Sequence, residues 1–128
     1  EVLDDSTVCV SGITVVGLNG ASLRNDKINV ITPDASPKIL LAHEPQFFEK
    51  YARAGYDLVL CGHAHGGQWR IPFTGVGLYA PGQGKFPKYT SGVHTCGKTK
   101  MIISRGLGNS EFPLRLFNRP EIVVIEIN

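Results

Sequence analysis

Two short apolar runs, Lys-Ile-Leu-Leu-Ala from Lys38 to Ala42 and Leu-Val-Leu-Cys from Leu58 to Cys61, constrain the fold of this chain more than anything else in it. Each is too short for a helix and is bounded by turn residues, so each reads as a buried strand. Between them Phe47, Phe48, Tyr51 and Ala52 recur at helical spacing. Pro45 suits the first helical turn, and Gly55 suits the position just past the last one. Strand, helix and strand in this span make a βαβ unit, whose two strands are parallel. Parallel strands end on one edge of the sheet, the edge where open α/β sheets hold ligands.

Both runs end at histidines. His43 follows the first, and the second leads into Gly62-His63-Ala64-His65-Gly66-Gly67-Gln68. In an extended backbone alternate side chains point one way, so His63 and His65 are expected on one side of the loop. Gly62, Gly66 and Gly67 admit positive φ and the close approach of an ion or anionic ligand. Two surface histidines would be the plain reading of a bare His-x-His. With His43 on the same rim, three of the four histidines converge, and a metal site becomes the sharper reading. Glu44 suits the positive end of the following helix better than it suits fixing an imidazole tautomer. The fourth histidine, His94, has no evident partner and reads as a surface residue.

Elsewhere, Thr7 to Val10 and Ile13 to Leu18 flank Ser11-Gly12 and predict a β-hairpin, with Val8 and Val10 on its half-buried side. Asn19 to Pro37 is polar and broken by prolines, a loop or short helical turn with solvated carboxylates. Gln68 to Pro87 is punctuated by glycine and proline and reads as irregular. Its Trp69, Phe73, Tyr79 and Phe86 either pack against the sheet or grip an apolar substrate tail or a membrane surface. Gly92 to Thr99 matches the P-loop pattern Gly-x-x-x-x-Gly-Lys-Thr, which makes nucleotide binding a rival function. That motif needs a helix behind it, whereas Lys100 to Ser104 is strand-like, so a hairpin turn is expected. Arg105 is suited equally to bidentate contact with a phosphate and to a surface salt bridge. The β-branched run Glu121 to Ile127 reads as a closing strand.

Composition excludes some classes. A net charge of +2 gives no footprint for nucleic acid. Cys9, Cys61 and Cys96 are odd in number and widely spaced, which argues against a disulfide framework or a zinc knuckle. No apolar run approaches the ~18 residues of a membrane span. Location stays open between cytoplasmic and peripheral to a membrane, with any signal or anchor outside this chain.

A lone histidine at a strand end, followed a helix later by a strand and Gly-His-x-His-Gly-Gly-Gln, resembles the last two motifs of the calcineurin-like metallophosphoesterases. The tail from Ser104 to Ile127 resembles a bacterial branch of that family, often membrane-associated and similar to UDP-diacylglucosamine pyrophosphatases. The similarity spans essentially the whole chain. It implies a two-metal centre in which His43 and His63 bind one ion and His65 the other, the ions being Mn, Fe, Zn, Ni or Co. It also implies hydrolysis of a phosphomonoester, phosphodiester or pyrophosphate, on a substrate that can carry an apolar or lipid portion.

The family's general-acid histidine and oxygen ligands belong to N-terminal motifs, Asp-x-His, Gly-Asp and Gly-Asn-His, that this sequence does not contain. Gly108-Asn109-Ser110-Glu111 is the nearest approach, but it has serine for histidine and lies after the His-x-His block. A two-metal site needs a bridging carboxylate. The expectation is therefore a single α/β domain over 1–128, the C-terminal half of the family's four-layered sandwich, with a βαβ unit and further β-hairpins. Its partner would be the missing N-terminal half, and the piece alone would be inactive. The alternatives are an inactive fragment or binding module with an incomplete metal site, and a mononuclear zinc hydrolase if all three imidazoles reach one ion.

Overall fold

The two apolar runs are neighbouring central strands of a mixed six-stranded sheet. The computed structural model describes residues 2–24, 28, 37–110 and 113–127. In chain order its elements are β1 (Ser6–Val10), β2 (Ile13–Gly17), α1 (Gly20–Arg24), β3 (Lys38–Leu41), a 3-10 turn (Pro45–Phe47) running into α2 (Phe48–Arg53), β4 (Leu58–Cys61), a second 3-10 turn (His65–Gly67), β5 (Tyr79–Ala80), β6 (Gly84–Lys85), β7 (Gly92–Cys96) and β8 (Thr99–Ile103). The sheet order is β1-β2-β3-β4-β8-β7, and β5 and β6 form a separate ribbon. The inner four strands are parallel, and the two outer pairs are antiparallel.

Local chemistry explains the connections. The Ser11-Gly12 turn has φ of 51° and 80°, the double positive φ that a tight hairpin turn demands. Pro45 opens the helical segment and Gly55, at φ 81°, lies just past it. Tyr51 pins that segment to the sheet rim, its buried hydroxyl donating to the carbonyl of Glu44 at 2.7 Å.

Strand register sorts side chains onto two faces. Val16, Leu40, Val59 and Met101 stand opposite one another across four strands, each with no solvent exposure. Phe48, Tyr51 and Tyr56 belong to the same core cluster. The adjacent row, Gly17, Leu41, Leu60, Ile102 and Val93, points the other way. There Leu41 is 38% exposed and Val93 65%. Leu3 crosses over Gly17, where a Cβ would collide with it. Val8 and Val10 also belong to this second face; Val8 is half-buried as expected, whereas Val10 is 54% exposed.

Several expectations change. The stretch from 121 to 127 forms no strand among the described residues, and Ile122 and Val124 are 77% and 82% exposed. The Glu121 amide is tied to the carbonyl of Gly106, just beyond the end of β8. Since β8 is an interior strand, no free edge lies there to accept a ladder. His94 is not a lone surface residue: it lies on β7 edge-on to Tyr89, with ring centroids 5.0 Å apart, and its Nε2 meets the Ser91 carbonyl at 3.1 Å. The P-loop match is a β7–β8 hairpin, as expected, and the Thr99 hydroxyl donates to the carbonyl of Tyr56 at 2.6 Å. The Gln68 to Pro87 stretch is irregular apart from β5 and β6. Most of Asn19 to Pro37, including Asp26, Lys27 and Asp34, lies outside the described residues.

Candidate functional site

The register of β3 and β4 places Leu41 beside Leu60, so their C-terminal ends reach the same rim. His43 lies two residues beyond β3 and His63 two beyond β4. Their rings meet, with centroids 4.2 Å apart and planes inclined by 46°. His65 opens the 3-10 turn that follows. All three predicted histidines therefore lie at one end of the sheet, His43 exposed and the other two half-buried.

The loop that carries two of them is not extended. His63 has φ 62°, Ala64 φ −71° and ψ −12°, and His65 φ 45°. Alternation along a strand is not what orients these rings, and Gly62 is not a positive-φ residue. Gly66 and Gly67 do take positive φ, 67° and 80°, as expected, but so do the histidines themselves and Gln68, the last at φ 58° and ψ −71°. For residues other than glycine such positions cost about 1–3 kcal/mol each and persist only where surroundings enforce them.

Asn118 does much of the enforcing. It is 3% exposed, and its side-chain amide donates to the carbonyls of His65 at 2.6 Å and Gln68 at 3.0 Å. A Cβ on Gly66 would fall inside the Asn118 side chain, and one on Gly67 would strike the backbone of Gly77. These glycines thus serve close packing of the loop. Arg70 completes the clamp, with Nη1 donating to the Gly66 carbonyl at 2.9 Å and to Ser91 Oγ at 3.0 Å.

Electrostatics favour a neutral His65. Burial lowers its pKa, and the guanidinium of Arg115 and the nearby His43 push the same way, against a raising hydrogen bond with the backbone of Gly108. A neutral ring keeps the lone pair that metal ligation uses. Arg115 itself has no sequence signature. Its Nη2 donates to the carbonyls of Arg105, at 2.9 Å, and Gly108, while its Nε and Nη1 are buried without a partner among the described residues. Arg105 takes the salt-bridge alternative, meeting Glu121 Oε2 through Nε at 2.8 Å and Nη2 at 2.6 Å.

Glu44 is 6% exposed, and its Oε2 accepts from Gln46 at 2.6 Å. It makes no side-chain cap on the following turn. Ser110 donates to Gln68 Oε1 at 2.8 Å, and Glu111 lies outside the described residues. Burial pushes the Cys61 thiol up to about 12, so it is inert at neutral pH.

The donor set decides how far these residues fit a metal. Among the described residues, no group of three His, Cys, Asp or Glu side chains gathers closely enough to hold an ion. A hollow of about 480 Å³ between Arg53, Tyr56, Asp57 and Lys98 lies at the other end of β4, away from the histidines.

The chain is 40% identical over 91 residues to phosphodiesterase YaeI of Escherichia coli, covering 71% of this chain and 32% of that protein. It is 42% identical over 89 residues to the uncharacterized metallophosphoesterase YkuE of Bacillus subtilis, covering 70% and 30%. With a transmembrane protein with metallophosphoesterase domain from Bos taurus it shares 29% identity over 128 residues, 93% of this chain and 27% of that protein. The chain thus spans about a third of the length of these relatives. No family model and no solved structure matches it.

Proposed function

Because this chain belongs to the metallophosphoesterase family, we propose that it supplies the histidine ligands of a two-metal centre that hydrolyses a phosphate ester. His43 and His63 would hold one divalent ion and His65 the other, with Mn, Fe, Zn, Ni and Co all compatible with imidazole donors. The chemistry such ions supply is positioning of the phosphate and activation of a water. What supports this most is the contact of the His43 and His63 rings at the ends of adjacent parallel strands. A clamped, strained loop that carries His65 adds to it, because strain clusters where geometry matters to function.

The oxygen ligands and the general acid would come from the part of the family's domain that these 128 residues do not include. The half-exposed second face of the sheet supports that division. Parallel sheets are covered on both faces, and a four-layered sandwich would lay further structure over Leu41, Leu60 and Ile102. The lack of a three-donor cluster among the described residues favours a second reading, an inactive fragment or binding module.

Metal binding and turnover separate the two. Co(II) added to this chain is expected to give visible ligand-field absorption that His43→Ala and His63→Ala each abolish, with far-UV CD unchanged. In the longest form that the gene encodes, His63→Ala is expected to lower phosphodiester turnover by about 100-fold or more, since even outer-sphere partners of metal ligands cost 10–100-fold. Full turnover in that variant would remove His63 from the site, and a gene encoding nothing beyond these residues would favour the binding module.

A further inference from the structure

Beside the clamped loop lies a pocket of about 360 Å³ whose charged lining, among the described residues, is entirely guanidinium: Arg70, Arg105 and Arg119. Its apolar walls include Ile71, Phe73 and Phe117. Two of the arginines are fixed in advance. Arg70 is tethered to Gly66 and Ser91, and its Nη2 meets the Gly75 carbonyl at 2.5 Å. Arg105 is held by Glu121 through Nε and Nη2, and its Nη1 has no described partner. Arg119 pairs with no described residue at all.

Among the described residues one carboxylate, Glu121, faces this group of arginines. The arginines also feel one another: burial lowers the pKa of Arg70 and repulsion from Arg105 adds to that, outweighing attraction to Glu121. Like charges held this close are stabilised by an anion between them, and a planar guanidinium fork matches phosphate oxygens. The rim is unusual as well. Phe73 is fully exposed and Phe117 is 72% exposed, and both sit at positive φ, 65° and 52°. A bulky residue in that conformation is an outlier, and here neither ring recovers core burial.

We propose that this pocket binds a phosphate group carried on an apolar body, the arginines taking the phosphate and Phe73 and Phe117 the body. It draws on none of His43, His63 and His65, so it stands or falls apart from the metal reading. The chemistry is shared by the headgroup of an anionic lipid and by a soluble phosphate ester, and the two sources behave differently in solution.

The test is binding by this chain, in low salt and without metal. Co-sedimentation with phosphatidylcholine vesicles, with and without phosphatidylglycerol, probes the lipid source. NMR shifts of arginine Nε resonances on titration with inorganic phosphate probe the soluble one. The variants are Arg119→Gln and Phe73→Ser, both at exposed positions, with Val10→Ser at the opposite sheet edge as control.

For a lipid headgroup, the chain pellets only with phosphatidylglycerol. Arg119→Gln then weakens binding about 5-fold, the usual effect of one basic residue at an anionic surface, Phe73→Ser weakens it too, and Val10→Ser binds as wild type. For a soluble ester, inorganic phosphate shifts the Arg70, Arg105 and Arg119 signals, Arg119→Gln weakens the shift, and vesicles are ignored. No response to either probe overturns the proposal, as does binding that Arg119→Gln leaves intact or that Val10→Ser weakens equally.

Discussion

The two faces of the six-stranded sheet are built from the same kinds of residue and end in different states. One face aligns Val16, Leu40, Val59 and Met101 in complete burial beneath Phe48 and Tyr51. The other aligns Leu41, Leu60, Ile102 and Val93, with the outer members well exposed. Strands whose two faces are both apolar belong to sheets covered on both sides. The difference therefore separates the face that this chain buries by itself from the face that it leaves half-exposed.

The largest effect is expected from truncation on the closed face. Met101→Ala should cost about 2–5 kcal/mol, the range for emptying a fully packed site, read as a fall in the urea midpoint at unchanged slope. Leu41→Ala on the open face should cost less than about 1 kcal/mol, because much of that side chain already meets water. The comparison sharpens in a longer form of the protein. If the open face is covered there, the Leu41 cost rises towards that of Met101. Equal costs in the 128-residue chain would break the contrast outright.

The closed face was readable in advance, because run length, helical spacing and the positions of Pro45 and Gly55 all demanded one βαβ unit. The shared rim of His43 and His63 followed from that topology. The orientation of the His63-to-His65 loop did not. It is set by Asn118, more than 50 residues away in the chain, and by the contact of Gly67 with Gly77. Long-range contacts of this kind leave no periodic trace. Arg115 beside His65 was hidden for the same reason. The tail from 121 to 127 misled because β-propensity describes how side chains suit a pleated surface, and no strand edge is at hand to supply one.

That tail resembles the open face, apolar and uncovered, but polar ties hold it. Both Glu121 oxygens are engaged by Arg105, one by its backbone amide at 2.9 Å and the other by its guanidinium. Burial pushes the Glu121 carboxyl up, but the Arg105 hydrogen bonds and the charges of Arg105 and Arg70 outweigh that and hold it below the usual 4.5. A carboxyl depressed by folding contributes stability above its unfolded pKa and loses it as pH falls through the folded one. Glu121→Gln should therefore cost about 1–2 kcal/mol at neutral pH. It should also flatten the fall in stability that the wild type shows below about pH 4.5, in urea melts across pH. An unchanged acid limb would mean that the tie forms without net gain.

The smallest effect is expected at the edge of the open face. Val93 on β7 is 65% exposed, and β7 is one of the sheet's two edge strands. Val93→Ser removes little buried surface, so stability should change by no more than about 0.5 kcal/mol. Self-association is the more telling measurement. An apolar edge on an uncovered sheet is a template for pairing, so the serine variant should sediment with a smaller weight-average mass at high concentration. Equal masses would show that the open face does not drive association at its β7 margin, and any pull it exerts would then belong to the interior row of Leu41, Leu60 and Ile102.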